Sequence, residues 1–383
     1  MGRTVRLLTV LSREEPLGYH TPMLQTSRFG APLVLLLVLL NAAFAQNIPP
    51  RPSGEPAGSI AASASPSIPT MPTAPAAIMA LGSKLNGLDG TEIPPWHIKA
   101  TYQEFDSKGK LSGSGSYEEF RISDKSYKRT YASPAFTQTD YATERGLYRS
   151  GNQDWPGREE TQVQIYLTAP IPLELGVPNT ALKNQDLAVG ATHRRCVISK
   201  LPRVFPVESA YCFEPDRPIL RLAMSPDGQS QLLYNNVVLF QGHFVAQDVE
   251  VTRQNRPVLT IHIDELRSLP GAIEFNPPAD VTQPIGGKIV LPEGTTSSLL
   301  LVQVLPVYPT SAKEMHVDGT VIMHVVVGQN GAVKSADVIS GPTALRASAL
   351  DAVRLWTYRP FVLLGEATEI ETDVRVIFSL GTG

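Results

Sequence analysis

The chain has 383 residues, too many for one typical domain and enough for two with connections between them. Charged residues make up 18% and the formal net charge is −3, which gives neither the basic excess of a nucleic-acid binder nor the acidic excess of a solvating tail. With 33 prolines and 29 glycines, turns, connections and short strands are favoured over long helices, and a β-rich chain is expected.

At the N-terminus Arg28 precedes an apolar run from Ala31 to Leu40, followed by Ala43-Phe44-Ala45, a small-x-small site with cleavage expected before Gln46. This is the charge, core and cleavage order of a secretory signal occupying residues 1–45. Glu14, Glu15 and Pro16 fit such a signal poorly, so Met23 is the expected start. The alternative is an uncleaved anchor, although about fifteen apolar residues fall short of the roughly twenty that span a bilayer.

Residues 46–95 are rich in Pro, Ala and Ser, as in Pro49-Pro50-Arg51-Pro52. Such sequence buries little and samples extended polyproline conformations, so a semi-stiff spacer is expected, with a short helix over Ile78 to Leu88 near its end.

Residues 96–282 read as an antiparallel β domain. Ile98, Ala100 and Tyr102 alternate with polar neighbours, Asp106 to Gly109 supply a turn, and Ser116 to Ile122 begin another strand. Ser225-Pro226-Asp227-Gly228 is a turn signal, and strands are expected over Leu232 to Phe240, His243 to Thr252 and around Leu259 to Ile263. Leu173-Glu174-Leu175 and Ala181-Leu182-Lys183 suggest a short helical interruption. One curved meander sheet follows, its core filled by Tyr102, Tyr117, Phe120, Tyr127, Tyr131, Tyr141 and Tyr148. Its strand rhythm, the opening Trp96 to Tyr102 and the strands after Cys212 resemble the LolA-type half-barrel, a family that carries lipoprotein acyl chains on a concave apolar face.

Cys196 and Cys212 are the only cysteines. In an exported chain an even pair predicts a disulfide, here closing about sixteen residues and worth ~3 kcal/mol in the entropy model. No C-x-x-C or H-E-x-x-H spacing is present, so no metal-ligating or cofactor-binding residue is nominated. Catalytic motifs are likewise missing: there is no nucleophile elbow or phosphate loop, and Gly113-Ser114-Gly115-Ser116 reads as strand or hairpin. Glu118-Glu119 and Glu159-Glu160 are adjacent, which on a strand sends the two carboxylates to opposite faces. No catalytic residue is nominated, and a non-enzyme is expected.

After a second connection, 283–303, a small domain spans 304–383. Pro309 suits the first turn of a helix over Thr310 to His316, ended by Asp318-Gly319. Val321, Met323, Val325 and Val327 share one face of the next strand. Asn330-Gly331 predicts a hairpin turn, because both residues tolerate positive φ, leading to a partner strand from Val333 to Ile339. Thr343 is a candidate helix cap, and Leu345, Ala349, Ala352, Val353 and Trp356 form a helical stripe. In the last strand Ile370, Thr372, Val374, Val376, Phe378 and Leu380 face the core. The fold class is α+β: an antiparallel, half-barrel-like middle sheet, then a hairpin, helix and closing strand.

The motifs Tyr308-Pro309-x-x-Ala312, Gly319-x-Val321, Gly331-x-Val333, Ala349-x-x-Ala352-x-x-x-Trp356-x-Tyr358-x-Pro360 and Val374-x-Val376-x-Phe378 resemble the C-terminal domain of TonB energy transducers. The resemblance implies that this domain binds an extended segment of an outer-membrane receptor, or of another envelope protein, by strand addition. By position the docking edge is Thr368 to Leu380, with Glu369, Glu371, Asp373, Arg375 and Ile377 outward. Tyr308, Pro309, Gly319, Gly331, Trp356, Tyr358 and Pro360 are fold-forming. The family's membrane helix carries a functional histidine, whereas the apolar run here has none. Two functions follow: a periplasmic docking adaptor in transmembrane transport, or a carrier whose middle domain takes a lipid ligand. In either case no nucleic acid is expected, the alternative location is an inner-membrane anchor with periplasmic domains, and the oligomeric state stays open.

Overall fold

The computed structural model describes residues 68–90, 92–171, 181–189, 192–200, 208–224, 230–271, 273–281, 284–286 and 288–380. The signal-like run, the first part of the Pro-rich stretch, Leu173-Glu174-Leu175 and the Ser225 to Gly228 turn lie outside these residues.

Alternation of apolar and polar residues produces twelve strands: β1 (Trp96–Phe105), β2 (Leu111–Ser123), β3 (Ser126–Ala132), β4 (Thr137–Thr143), β5 (Gly146–Gly151), β6 (Ala181–Val189), β7 (Thr192–Lys200), β8 (Glu208–Phe213), β9 (Leu220–Met224), β10 (Ser230–Phe240), β11 (His243–Arg253) and β12 (Arg256–Ser268). They form one antiparallel sheet in the order β5-β4-β3-β2-β1-β12-β11-β10-β9-β8-β7-β6. The chain thus starts at the centre, runs out to β5, crosses to the far edge at β6 and returns beside β1. Ala181-Leu182-Lys183, expected in a helix, open β6 instead and pair with Lys200, Ser199 and Ile198 of β7. That cross-strand ladder overrides a local helical preference.

Two helices cover the inner face, α1 (Pro75–Leu85) and α2 (Arg158–Thr168). The run expected to end a spacer therefore belongs to the core. Ile78 and Met79 of α1 and Val163 and Leu167 of α2 pack with Ile98, Tyr102, Tyr117 and Phe213. Gly82 lets α1 approach closely, since a Cβ there would lie 2.7 Å from the Phe213 ring. Buried Asn86 fastens the end of α1 by donating to the carbonyls of Gly82 and Pro218 and accepting from the Leu220 N–H. One register row, Tyr234↔Val249↔Ile261↔Tyr102↔Gly115, crosses five strands. Gly115 ends it because the Tyr102 ring occupies the space a side chain would need. The expected aromatic core divides by strand parity: Tyr102, Tyr117, Tyr127 and Tyr131 are buried, while Phe120, Tyr141 and Tyr148 are half-buried.

Cys196 and Cys212 face each other on β7 and β8 and form the expected disulfide. They sit in a second apolar cluster with Leu187, Ile198, Ala210, Leu222 and Met224.

The C-terminal unit begins earlier than its composition suggested. Segment 283–303, expected as a connection, holds β13 (Ile289–Val290), α3 (Glu293–Leu299) and β14 (Leu300–Val302). Then come α4 (Thr310–Glu314), β15 (Gly319–Val327), β16 (Val333–Ser340), α5 (Thr343–Val353), β17 (Thr357–Tyr358), β18 (Phe361–Leu363), β19 (Glu366–Thr368) and β20 (Ile370–Phe378). The main sheet runs β13-β20-β15-β16. On one face Leu345, Ala349 and Val353 of α5 meet Val321, Met323, Val325, Val374, Val376 and Phe378.

Tyr308 stacks edge-on against Phe378 at 5.3 Å and donates its hydroxyl to the Val317 carbonyl, and the Trp356 indole donates to Val304. Three local details sharpen the expectation. Pro342 occupies the N-cap position of α5 with no side-chain cap, so Thr343 is its first helical residue. His316, at φ 54°, takes the left-handed conformation after α4. In the β15–β16 turn only Gly331 has positive φ, +78°, while Asn330 accepts the Ala332 N–H with its side chain.

A Cβ on Gly331 would lie 1.9 Å from the Tyr358 carbonyl oxygen. Gly331→Ala is therefore expected to destabilise the protein by about 2–4 kcal/mol, read as a lowered Tm by calorimetry.

Candidate functional site

The last strand carries the site nominated from sequence, and its geometry follows from pairing. β20 lies antiparallel to β15, and its start is also paired in parallel with β13 through Ile289↔Ile370 and Val290↔Glu371. The Leu291 N–H donates to the Glu371 carbonyl. In a strand, the N–H and C=O of one residue point the same way and alternate along the chain. Glu371 therefore aims its main-chain groups away from β15, and so do Asp373, Arg375 and Ile377. Pro292 has no N–H and α3 turns away, so β13 stops there. On the side away from β15, no strand among the described residues pairs with Asp373–Phe378. The expected edge, Thr368 to Leu380, narrows to these six residues.

The outward side chains form an ion-pair strip. Glu369 is exposed and pairs with Lys334 at 2.5 Å. Glu371 pairs with Lys288 at 2.6 Å, and the bond to that ammonium holds its carboxyl below the usual range. His324 of β15 lies 3.0 Å from Asp373 and 3.4 Å from Glu371. Arg375 reaches Glu293, in the first turn of α3, at 3.3 Å. Burial pushes the Glu293 carboxyl up, with Arg375 opposing and Asp373 adding to the rise. The Thr296 hydroxyl of α3 bonds to that of Thr372 on the core side. The family-motif residues Tyr308, Trp356 and Tyr358 are buried and Pro360 is exposed behind the Gly331 turn, all outside the strip.

A second cluster, which sequence reasoning did not nominate, lies on the inner face of β2–β5. Glu119, Arg129, Asp140 and Arg149 stand opposite one another in register across four strands. Glu119 is fully buried and accepts two bonds from Arg129 and one each from Arg121 and the Tyr117 hydroxyl. Burial alone would raise its pKa, but Arg129 and Arg121 outweigh that and hold it at about 2. Arg149 grips Asp140 at 2.7 and 2.9 Å and lies 4.4 Å over the Trp155 ring, which meets Phe361 of β18 edge-on at 5.3 Å. The sequence signal was present: Glu119, Arg121 and Arg129 share strand parity with Tyr117, Tyr127 and Tyr131. Glu118, on the other face, meets His97 at 2.9 Å. Glu159 and Glu160, read as strand neighbours, instead lie in the first turn of α2, where burial pushes the Glu160 carboxyl up.

The space between α1, α2 and β10–β11, bordered by Gly87, Tyr166, Leu167, Tyr234, Val237 and Phe244, measures about 10 Å³, which is at most one water molecule. Among the described residues no cluster of three acidic, His or Cys side chains could hold a metal, and no helix is long and apolar enough to cross a membrane.

Residues 304–380 match the family model for the Gram-negative bacterial TonB protein C-terminal domain. Solved structures with a similar arrangement of the middle strands include a LolA superfamily protein from Nitrosomonas europaea, at 9% identity and a TM-score of 0.35, covering 52% of this chain and 96% of that one. Another is a putative outer membrane lipoprotein-sorting protein domain from Vibrio parahaemolyticus, at 8% identity and a TM-score of 0.34, covering 51% and 93%. No curated protein matches the chain.

The buried charge row sets a pH dependence. Because the folded pKa of Glu119 is depressed from 4.5, its contribution is present above pH 4.5 and is lost as pH falls toward about 2. Glu119→Gln should cost about 3–5 kcal/mol at pH 7, since it leaves two buried guanidinium groups short of a partner. Thermal melts between pH 7 and 2 should show that the variant lacks this part of the acid loss.

Proposed function

We propose that this protein is an envelope docking adaptor in transmembrane transport, whose C-terminal domain binds an extended segment of an outer-membrane transporter, or of a related partner, along the Asp373–Phe378 edge of β20. The observation that carries the reading is the outward aim of the main-chain groups of Asp373, Arg375 and Ile377 beside a sheet that already accepts a parallel neighbour two residues earlier. Strand addition draws its affinity from such groups and makes few demands on side-chain identity. The match of residues 304–380 to the TonB C-terminal model supports the same partner class. A periplasmic location, with export by the N-terminal signal, is part of the proposal. Glu371, Asp373, Arg375 and Ile377 border the docking lane, and Glu369 lies at its start.

The middle sheet acts in this reading as a platform. Ser298 donates to the Arg158 carbonyl, the Thr295 hydroxyl to that of Pro156, and the Arg359 guanidinium to that of Ala169. For the alternative, a lipid carrier with the middle domain as its binding site, the space under α1 and α2 beside β10–β11 offers about 10 Å³.

Ile377→Pro tests the edge directly, because it deletes an outward donor and leaves the β15 ladder whole. The variant should bind labelled peptides from the periplasm-facing segments of outer-membrane transporters at least about tenfold more weakly in fluorescence anisotropy, with its melting curve little changed. Unchanged affinity in the variant would rule out this edge as the docking strand.

A further inference from the structure

The open edge of β20 is a lane with a gate across it. An added strand lies about 4.8 Å from its neighbour, in line with β13. Glu293 stands where β13 gives way to α3 and reaches back to Arg375 at 3.3 Å. The Glu293–Arg375 pair therefore spans the place an incoming strand would take. Parting that pair has unequal consequences for its members. Arg375 is half exposed and has Asp373 two residues away on the same face of its own strand. Glu293 is two-thirds covered, is already pushed toward its neutral form by burial and by Asp373, and has no second cation in ion-pair reach among the described residues. Lys288, another base on this border, is held by Glu371 at 2.6 Å. A carboxylate stripped of water and partner is costly, so the incoming strand must supply the missing charge.

We propose that the segment accepted by this edge is a basic one: an extended stretch of about six residues with a lysine or arginine set beside Glu293, and apolar side chains alternating on the opposite face. The inference rests on the docking reading above and names the chemistry of its partner. The length follows from the free residues Asp373–Phe378, about 20 Å of strand. Apolar alternation follows from Val374, Val376 and Phe378, which face the core side of β20 and are buried. Acidic segments are disfavoured because three carboxylates, Glu293, Asp373 and Glu371, already line the lane against two permanent cations, Arg375 and Lys288.

The test uses the full chain and three capped, labelled heptapeptides of alternating valine and threonine, with lysine, norleucine or glutamate at the centre. In low salt the lysine peptide should bind at least about tenfold more tightly than the glutamate peptide, and the ratio should shrink as salt is raised. Glu293→Gln should bring the ratio within about threefold. Arg375→Ala, which leaves Glu293 without its internal partner, should widen it. Melting curves establish that both variants fold, and the two opposite expectations keep the test decisive if one does not. Equal binding of the lysine and glutamate peptides, still abolished by Ile377→Pro, would overturn the charge preference while leaving the docking edge in place. A preference that survives Glu293→Gln would overturn the role of Glu293. If none of the three peptides binds the unaltered protein, the docking reading falls together with this one.

Discussion

The structure depends on the position of one helix between two cores. α2 sends Val163 and Leu167, four residues apart, into the apolar cluster beneath the large sheet. Ile165 and the preceding Trp155 pack instead with the C-terminal cluster. An eleven-residue helix is marginal by itself, so burial on both sides makes it stable. The same burial binds the two units into one body. Gly294 of α3 comes so close to Arg158 that a Cβ would lie 3.3 Å from it.

The inner face of the large sheet is chemically divided, and the division follows its strand order. From β12 to β8 it is lined by Ile261, Val249, Leu232, Tyr211 and their neighbours, closed over by α1. From β2 to β5 it carries the alternating row Glu119, Arg129, Asp140 and Arg149. Buried charges are tolerable only when every lone pair and proton has a partner, and register provides this: each residue stands opposite a charge of the other sign. The far end of the row is sealed by Trp155 over Arg149. Leu363 and Leu364, beside the β18–β19 hairpin, pack nearby on Tyr127, Ala142 and Leu147.

How much of this could be read in the sequence differed between the two halves for a physical reason. The C-terminal domain is small, and its elements carry dense local instructions: period-two valines in β15 and β20, a helical stripe through Leu345, Ala349 and Val353, and glycine at position 331 of the β15–β16 turn, where φ is positive. Strand existence in the middle region was equally legible. What escaped were the features fixed by distant partners. α1 looked like the end of a spacer because Pro, Ala and Ser surround it, yet Ile78 and Met79 are buried by strands far along the chain. Residues 289–302 looked like a connection because strands of two and three residues leave no periodicity to detect; β13 is held by β20 and β14 by β17. Ala181-Leu182-Lys183 read as helix and became strand because β7 supplied the ladder. The charge row was written in strand parity, visible only once the tyrosines fixed which side faced inward.

The same partnership explains why the free edge is short and where its influence can reach. β20 would offer a full-length edge if nothing preceded the C-terminal domain, but β13 takes up its first two residues and α3 then turns beneath the sheet. That turn puts Glu293 at the border of the lane and Thr296 against Thr372 within the fold. It also puts Thr295 and Ser298 on the Pro156 and Arg158 carbonyls at the start of α2. One seven-residue helix thus touches the edge, the C-terminal core and the helix seated in the large sheet. The elements that leave this edge of β20 short are therefore the same ones that join it to α2 and the large sheet.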